Sequence, residues 1–403
     1  MTSPKVLLYS AESRLRPPLV LMDRLRTTLR RRLHFYTDAA HFRHGDLSRL
    51  DYRNYEGRDT INMGDVAIYQ SAAALIKRLL PAAHIQPMNW GELKSHSLTK
   101  TDQENTTLVF NGSGYFHVEL NGRLASRIKE DFDWWLRHPV PAVFFGVGLN
   151  RPGSTDLNAP VALHPDDAAL VSQWLALAQA VSVRDASTQA ALAPWTTKPV
   201  HLIGDPALHF CHALGITPSR EKAASARKPP IIGINFSFHG KISTLLLRNN
   251  LEAYCAVLLK LQKDTGADYH YFVHYEIEKI LPKFLAQRGV KIRKVGAGDT
   301  ASLVNGYGEI DLHIGGMLHS CILATSAGTP CIGLAYDIKH QGFFDLMGLS
   351  ENCLSAASFD PEALYARAMN LLANPQPVRA HITAQRQMLE TETLHFLQEQ
   401  FAL

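Results

Sequence analysis

The sequence predicts an α/β protein built from two Rossmann-like halves that face one another across a cleft. Three observations carry this. Short apolar runs bounded by Gly, Asn or Asp alternate with longer helical stretches, the pattern of a mostly parallel sheet with crossover helices. The pattern occurs twice along the chain. A polar, proline-bounded break, GITPSREKAASARKPP at 215–230, separates the two runs.

The first run reads as strands at 6–10, 107–111, 142–147, 180–183 and 200–203, with helices at 66–80, 123–136, 165–178 and 186–192. Aspartates stand at the head of two of these helices, in GDVAIYQSAAALIKRLL and RDASTQAAL, as N-terminal capping requires. The second run gives strands at 231–236, 269–273, 291–294, 312–314 and 331–334, and helices at 245–265, 277–288, 318–326 and 361–373. A last helical stretch at 378–401 fits against either half. The expected organisation is an N-terminal unit at 1–214, a linker or surface loop at 215–230, a C-terminal unit at 231–375 and a closing helix at 376–403. Ligands of such sheets sit beyond the carboxyl ends of the strands, where glycine turns lead into helix N-termini.

A chain of 403 residues has room for two ordinary domains. Its 46% apolar and 19% charged content describes a soluble globular protein, neither disordered nor acidic-tailed. KVLLYSAES reads as an opening strand, not a secretory signal, and no stretch approaches the roughly 20 apolar residues of a membrane span. Five cysteines without a CxxC pair suit a reducing compartment, so a cytoplasmic location is expected. Net charge is only +4, yet seven arginines lie between Arg14 and Arg32. That segment reads as an amphipathic surface helix, with peripheral contact to an anionic membrane face as its second reading. No nucleic-acid module accompanies it, so nucleic acid is not an expected partner. HExxH, clustered carboxylates, GxGxxG and GxSxG are all absent, so neither a metal site nor a nicotinamide, flavin or serine-nucleophile site is indicated.

Five strand-to-helix corners carry unusual residues. INMGDVAI places Gly64 and Asp65 at a helix start, with Asn62 before them. NGSG puts Asn111, Gly112 and Gly114 directly after a buried strand, where a backbone can approach a ligand. VSVRDAS sets Arg184 at a strand's carboxyl end, and its forked guanidinium suits carboxylate or phosphate. LIGDPAL reads as a turn that closes the first half without chemistry. GGMLHSCILATSAG ends a strand and opens a short helix with Leu318, His319 and Ser320 in its first turn. The next strand ends at YDIK, so its neighbouring corner brings Lys339 to the same rim.

In order and spacing, INMGDVAI, NGSG, VSVRDASTQAAL, GDPAL, IGINFS and GGMLHSCILATSAGTPCIGLAYDIK resemble the polysaccharide pyruvyl transferase family, from Ile61 to about Leu349. The resemblance implies a fold like the glycosyltransferase B arrangement. It implies phosphoenolpyruvate as co-substrate, with no further cofactor. The acceptor would be a nucleotide-linked or lipid-linked sugar of a cell-surface polysaccharide, ketalised across two hydroxyls. By the same resemblance His319 and Asp65 are the candidate catalytic residues. Arg184, Lys339, Leu318, Ser320 and Lys241 are expected on the donor, and Asn62, Gly64, Asn111 and Gly112 on the acceptor. One position departs from the family pattern: Met317 stands where the family has an arginine two residues before the histidine. Lys241 is the expected substitute cation, with Arg293 and Lys294 as alternatives. The same departure keeps two other readings open, a nucleotide-sugar glycosyltransferase and a non-catalytic binding protein.

Overall fold

A computed structural model describes residues 4–13, 21–57, 61–151, 163–218, 229–296 and 298–401. Most of the expected linker, 219–228, lies outside the described residues. The strands are β1 (Lys5–Ser10), β2 (His84–Asn89), β3 (Thr106–Asn111), β4 (Phe116–His117), β5 (Ala142–Val147), β6 (Leu149–Asn150), β7 (Ala180–Val183) and β8 (Val200–Leu202) in the first half. The second half holds β9 (Ile231–Asn235), β10 (Asp268–Phe272), β11 (Ile292–Gly296), β12 (Leu312–Gly315), β13 (Cys331–Ala335) and β14 (Cys353–Ser355). Helices up to the break are α1 (Leu21–Arg43), α2 (Met63–Leu79), α3 (Lys100–Glu104), α4 (Ser126–Arg137), α5 (Pro165–Leu177), α6 (Ala186–Leu192) and α7 (Phe210–Ala213). After it come α8 (Lys241–Thr265), α9 (Leu281–Gln287), α10 (Thr300–Gly308), α11 (Leu318–Ser326), α12 (Ile338–Leu346), α13 (Pro361–Ala373) and α14 (Pro375–Phe401).

Two six-stranded sheets result, ordered β2-β1-β3-β5-β7-β8 and β11-β10-β9-β12-β13-β14, with every strand pair parallel. This is the α/β fold of two Rossmann-like units that the alternation predicts. In each sheet the winding reverses beside the first strand, between β1 and β3 and between β9 and β12. Parallel sheets open a crevice at that point, and both crevices face the cleft. The periodicity did not disclose β2, α10, α12 or β14. An edge strand written HIQPMN carries a proline and few apolar residues, so it has no strand signature. β14 is only three residues long.

Central strands are buried on both faces and read as apolar runs for that reason. An aromatic cluster fills the first half's outer layer. Phe110 stacks on Phe144 at 4.8 Å, with Trp174 edge-on to both. Each half is also covered by a helix from the other end of the chain. Phe35 and Phe42 of α1 pack on Phe284 of α9, in the second half. Helix α14 begins on the second half, where Gln385 Nε2 donates to Leu346 O at 2.7 Å. It ends on the first, where Phe396 stacks against Phe145. Below the cleft α2 joins the halves: its Val66, Ala67 and Ile68 share a core with Leu303, Leu318 and Ile322.

Candidate functional site

A cavity of about 440 Å³ lies between the halves, lined from the first by Asn62, Asp65, Ser113 and Arg184 and from the second by Lys241, His319 and Lys339. On the first side Asn62 caps α2, its Oδ1 accepting from Gly64 N at 3.0 Å. The cap is therefore Asn62, which leaves Asp65 free for other work. Its carboxylate accepts from Asn62 Nδ2 at 2.7 Å and from Ser113 Oγ at 3.1 Å. Ser113 is the one non-glycine residue with positive φ among the described residues, at 59°. A side chain there costs on the order of 1–2 kcal/mol, and the strained turn aims the hydroxyl at Asp65. Burial pushes Asp65 up to about 6, against the hydrogen bond from Ser113 and with repulsion from Asp205.

Gly64 has a sharper role than the sequence assigns. A Cβ built there would stand 2.1–2.3 Å from the His319 ring, so the imidazole of the second half rests on the bare backbone of α2. Gly148 plays the same part for Arg184, whose Nε would lie 2.1 Å from a Cβ at that position. Two glycines from the first half thus allow the closest approach of the two principal side chains.

Arg184 and His319 are both nearly fully buried. Arg184 Nε donates to Asp185 Oδ2 at 3.3 Å, and its Nη1 stands 3.7 Å from Asp205 Oδ2. His319 Nε2 is 3.9 Å from the same Asp205 oxygen. Asp205 belongs to the GDPAL turn, which the sequence reads as chemically silent; the fold sets it between the arginine and the histidine. Arg184 Nη2, Asp205 Oδ2 and His319 Nε2 are buried without a hydrogen-bond partner. Arg184 and His319 line the cavity, so two of these atoms lie where a polar ligand can meet them. Burial holds His319 well below the ordinary histidine value, and the nearby cations Arg184 and Lys339 depress it further. Both effects favour the neutral imidazole.

Lys339 sits in the first turn of α12, not on a strand end, with Asp337 as the helix cap. Burial opposes its charge, but Tyr336 and Asp337 outweigh it and Lys339 rises above the ordinary lysine value. Two helices open on the cavity without a side-chain cap. α8 begins after Gly240 with Lys241, Ile242 and Ser243 on the cavity wall, and α11 begins after Met317. Their leading N–H groups and positive dipole ends favour an anion.

Of the expected residues, His319, Asp65, Arg184, Lys339, Leu318, Lys241 and Asn62 line the cavity. Ser320 turns away and contacts His313 Nε2 at 2.9 Å and Met317 O at 2.7 Å. Asn111 is used within the sheet, donating to Ser10 Oγ at 2.8 Å, and Gly112 packs on Ile68. These three stand behind the site: one residue along a strand reverses the side chain, and one along a helix turns it by about 100°. Arg293 and Lys294 lie on the edge strand β11, paired with Asp268 and Glu309 at 2.7 and 2.9 Å. Lys241 is the only one of the three substitute cations on the cavity. Trp90, Asn150, His239 and Tyr275 also line it without a sequence signal to mark them, as does Tyr336, the tyrosine of YDIK. Among the described residues no group of three or more His, Cys, Asp or Glu is placed to hold a metal ion.

The model of the polysaccharide pyruvyl transferase family matches residues 62–338, more than half of the chain. The chain belongs to that family and is a transferase. No curated protein matches it in sequence. Among solved structures, UDP-GlcNAc 2-epimerase from Neisseria meningitidis bound to UDP-GlcNAc aligns over 81% of this chain and 96% of its own, with TM-score 0.48 and 10% identity. A UDP-glucosyltransferase from Polygonum tinctorium capable of glucosylating indoxyl aligns over 98% and 97%, with TM-score 0.49 and 12% identity. Likenesses of this size do not extend to substrate.

Proposed function

We propose that the chain moves pyruvate from phosphoenolpyruvate to a pair of hydroxyls on a sugar of a polysaccharide precursor, forming a cyclic ketal and releasing phosphate. The observation that carries this is the convergence of Arg184, Lys339, Lys241 and two uncapped helix starts on one cavity that also holds a neutral histidine and a buried carboxylate. Such a concentration of positive charge fits a small ligand bearing both a phosphate and a carboxylate.

In this reading the donor lies against the starts of α8 and α11, with Arg184 and Lys339 on its anionic groups. Burial is the main cause of the lowered His319 value, and the donor's negative charge offsets the repulsion from Arg184 and Lys339 that adds to it, so binding raises the imidazole toward the protonated state. His319 then gives its proton to the methylene carbon, leaving an oxocarbenium-like centre at C2. Asp65 accepts the proton of the attacking sugar hydroxyl as the new C–O bond forms. The C2–O bond to phosphate breaks, the second hydroxyl closes the ring, and its proton leaves with phosphate. Atoms and charge balance without any cofactor beyond the donor.

Thermal melting with ligands tests the assignment. Phosphoenolpyruvate is expected to raise Tm, and phosphate is expected to be released only when a suitable nucleotide-linked or lipid-linked sugar is added. Stabilisation by a nucleotide sugar alone would replace this reading with glycosyl transfer. Stabilisation by neither would leave a binding protein.

A further inference from the structure

Helix α1 presents three different faces. Its inner face packs on the second half through Phe35, Ala39 and Phe42. One flank, with Asp23, Arg26 and Arg30, walls a vestibule of about 830 Å³. That vestibule opens directly onto the cavity described above and shares Asn62, Asp65 and Trp90 with it. The third face is the unusual one. Met22, Leu25, Leu29, Leu33 and Tyr36 are 54–70% exposed. At 3.6 residues per turn they fall within a roughly 80° arc and form one stripe about 21 Å long. The other exposed large apolar side chains among the described residues are scattered over several elements, which needs no explanation. A continuous stripe on one helix does.

The borders of the stripe are cationic. Arg32 and Arg43 lie along one edge and Arg26 along the other, all exposed. From Arg24 to Thr37 the helix carries no acidic residue. We infer that this face docks on an anionic lipid bilayer, lying in the headgroup plane with the leucines toward the acyl chains. An apolar stripe between cationic margins is the make-up of an interfacial helix. Charge complementarity favours this occupant over a second copy of the chain, because two such faces placed together would oppose their arginine margins. No helix among the described residues is long and apolar enough to cross a membrane, so the contact is peripheral. Docking would set the vestibule beside the bilayer, since its flank of α1 lies roughly 90° around the helix from the stripe. A sugar anchored in the membrane would then enter past Arg26 and Arg30 and reach Asp65 without leaving the surface. The inference goes beyond the pyruvyl transfer reading and is tested without turnover.

Flotation of the full chain with vesicles of phosphatidylcholine containing phosphatidylglycerol, against phosphatidylcholine alone, is the experiment. The wild type is expected to float with the anionic vesicles and to be released by salt. Leu25→Asn/Leu29→Asn/Leu33→Asn is expected to lower the bound fraction at least about tenfold. Arg32→Ala/Arg43→Ala is expected to lower it about fivefold per charge. Both variants change only exposed positions and should keep the wild-type melting temperature. Three results would overturn the inference: no flotation of the wild type, equal flotation of the leucine variant, or a dimer in velocity sedimentation that the leucine variant converts to monomer. Each of these leaves the assignment of pyruvyl transfer standing.

Discussion

The two halves begin their cavity-facing helices differently. In the first half the helix starts are satisfied from within: Asn62 caps α2, Asp185 caps α6 and Asp205 caps the turn after β8. In the second half Asp337 caps α12, but α8 starts after a glycine and α11 after a methionine, and neither of these two receives a side-chain cap. The first half therefore brings carboxylates and one arginine to the cleft, while the second brings open N–H groups, a histidine, two lysines and the capping Asp337. The difference teaches where negative charge is welcome. A polar side chain at a helix start is worth about 1 kcal/mol, and a protein that omits it twice at one cavity has kept those donors for a ligand. Under the proposed pyruvyl transfer, the donor phosphate would sit on the second half and the acceptor hydroxyl near Asp65 on the first.

The largest expected effect comes from the residue that both halves hold. His319→Ala should lower transfer by about 10²–10⁴ with little change in melting temperature, since the ring rests on glycine instead of filling a core. Near wild-type turnover in that variant would end its role as proton donor. Next, Met317→Asp would give α11 the cap it lacks and make the second half like the first. Donor affinity measured by calorimetry should fall at least about tenfold, because the new carboxylate stands where the donor's charge must sit. An unchanged affinity would separate the donor from the start of α11. Lys241→Ala should weaken donor binding by a smaller factor, about fivefold to tenfold, and Met317→Arg in the same chain should recover most of it. Failure of that rescue would show that Lys241 does not replace the family's arginine.

The smallest effect concerns stability. Glu278 is wholly buried and accepts from Asn235 Nδ2 at 3.0 Å and from His274 N at 2.8 Å. Burial drives its carboxyl up to about 8 from an ordinary 4.5, only partly opposed by those hydrogen bonds. A raised folded value means that its contribution is whole below pH 4.5 and is lost as pH rises through about 8. Denaturant titrations of Glu278→Gln should show a flatter pH profile than the wild type over that window. Parallel profiles would mean that the carboxyl titrates no differently after unfolding.

Much of the site was legible because its residues stand where strands end and helices begin. Arg184, His319 and Asp65 each stand within a few residues of an apolar run, His319 and Asp65 beside a glycine as well, and local pattern finds such corners. Lys339 was placed on the correct rim but on the wrong element, since YDIK gives no sign that Asp337 already caps a helix. Asp205 was missed because Gly-Asp-Pro is a strong turn signal in its own right. Its partnership with Arg184 and His319 depends on contacts across the fold. Ser320, Asn111 and Gly112 show the reverse error: sequence adjacency to a site says nothing about direction when each successive side chain points a different way. The same limit hid the destination of α1 and the crossing of α14, which are properties of tertiary packing alone.

That crossing has a consequence for synthesis. One face of the first sheet is closed by Phe396, Leu397 and Phe401 packing on Val6, Val109 and Phe145. Thr393 Oγ1 bonds Ile203 O across 190 residues of intervening chain. As the polypeptide leaves the ribosome, the first sheet can form early but keeps an apolar flank bare until the final turns of α14 emerge. A stalled or shortened nascent chain exposes a sticky surface of the kind that promotes aggregation. The last helix is thus a quality seal: only a chain read through to Phe401 hides its own first sheet.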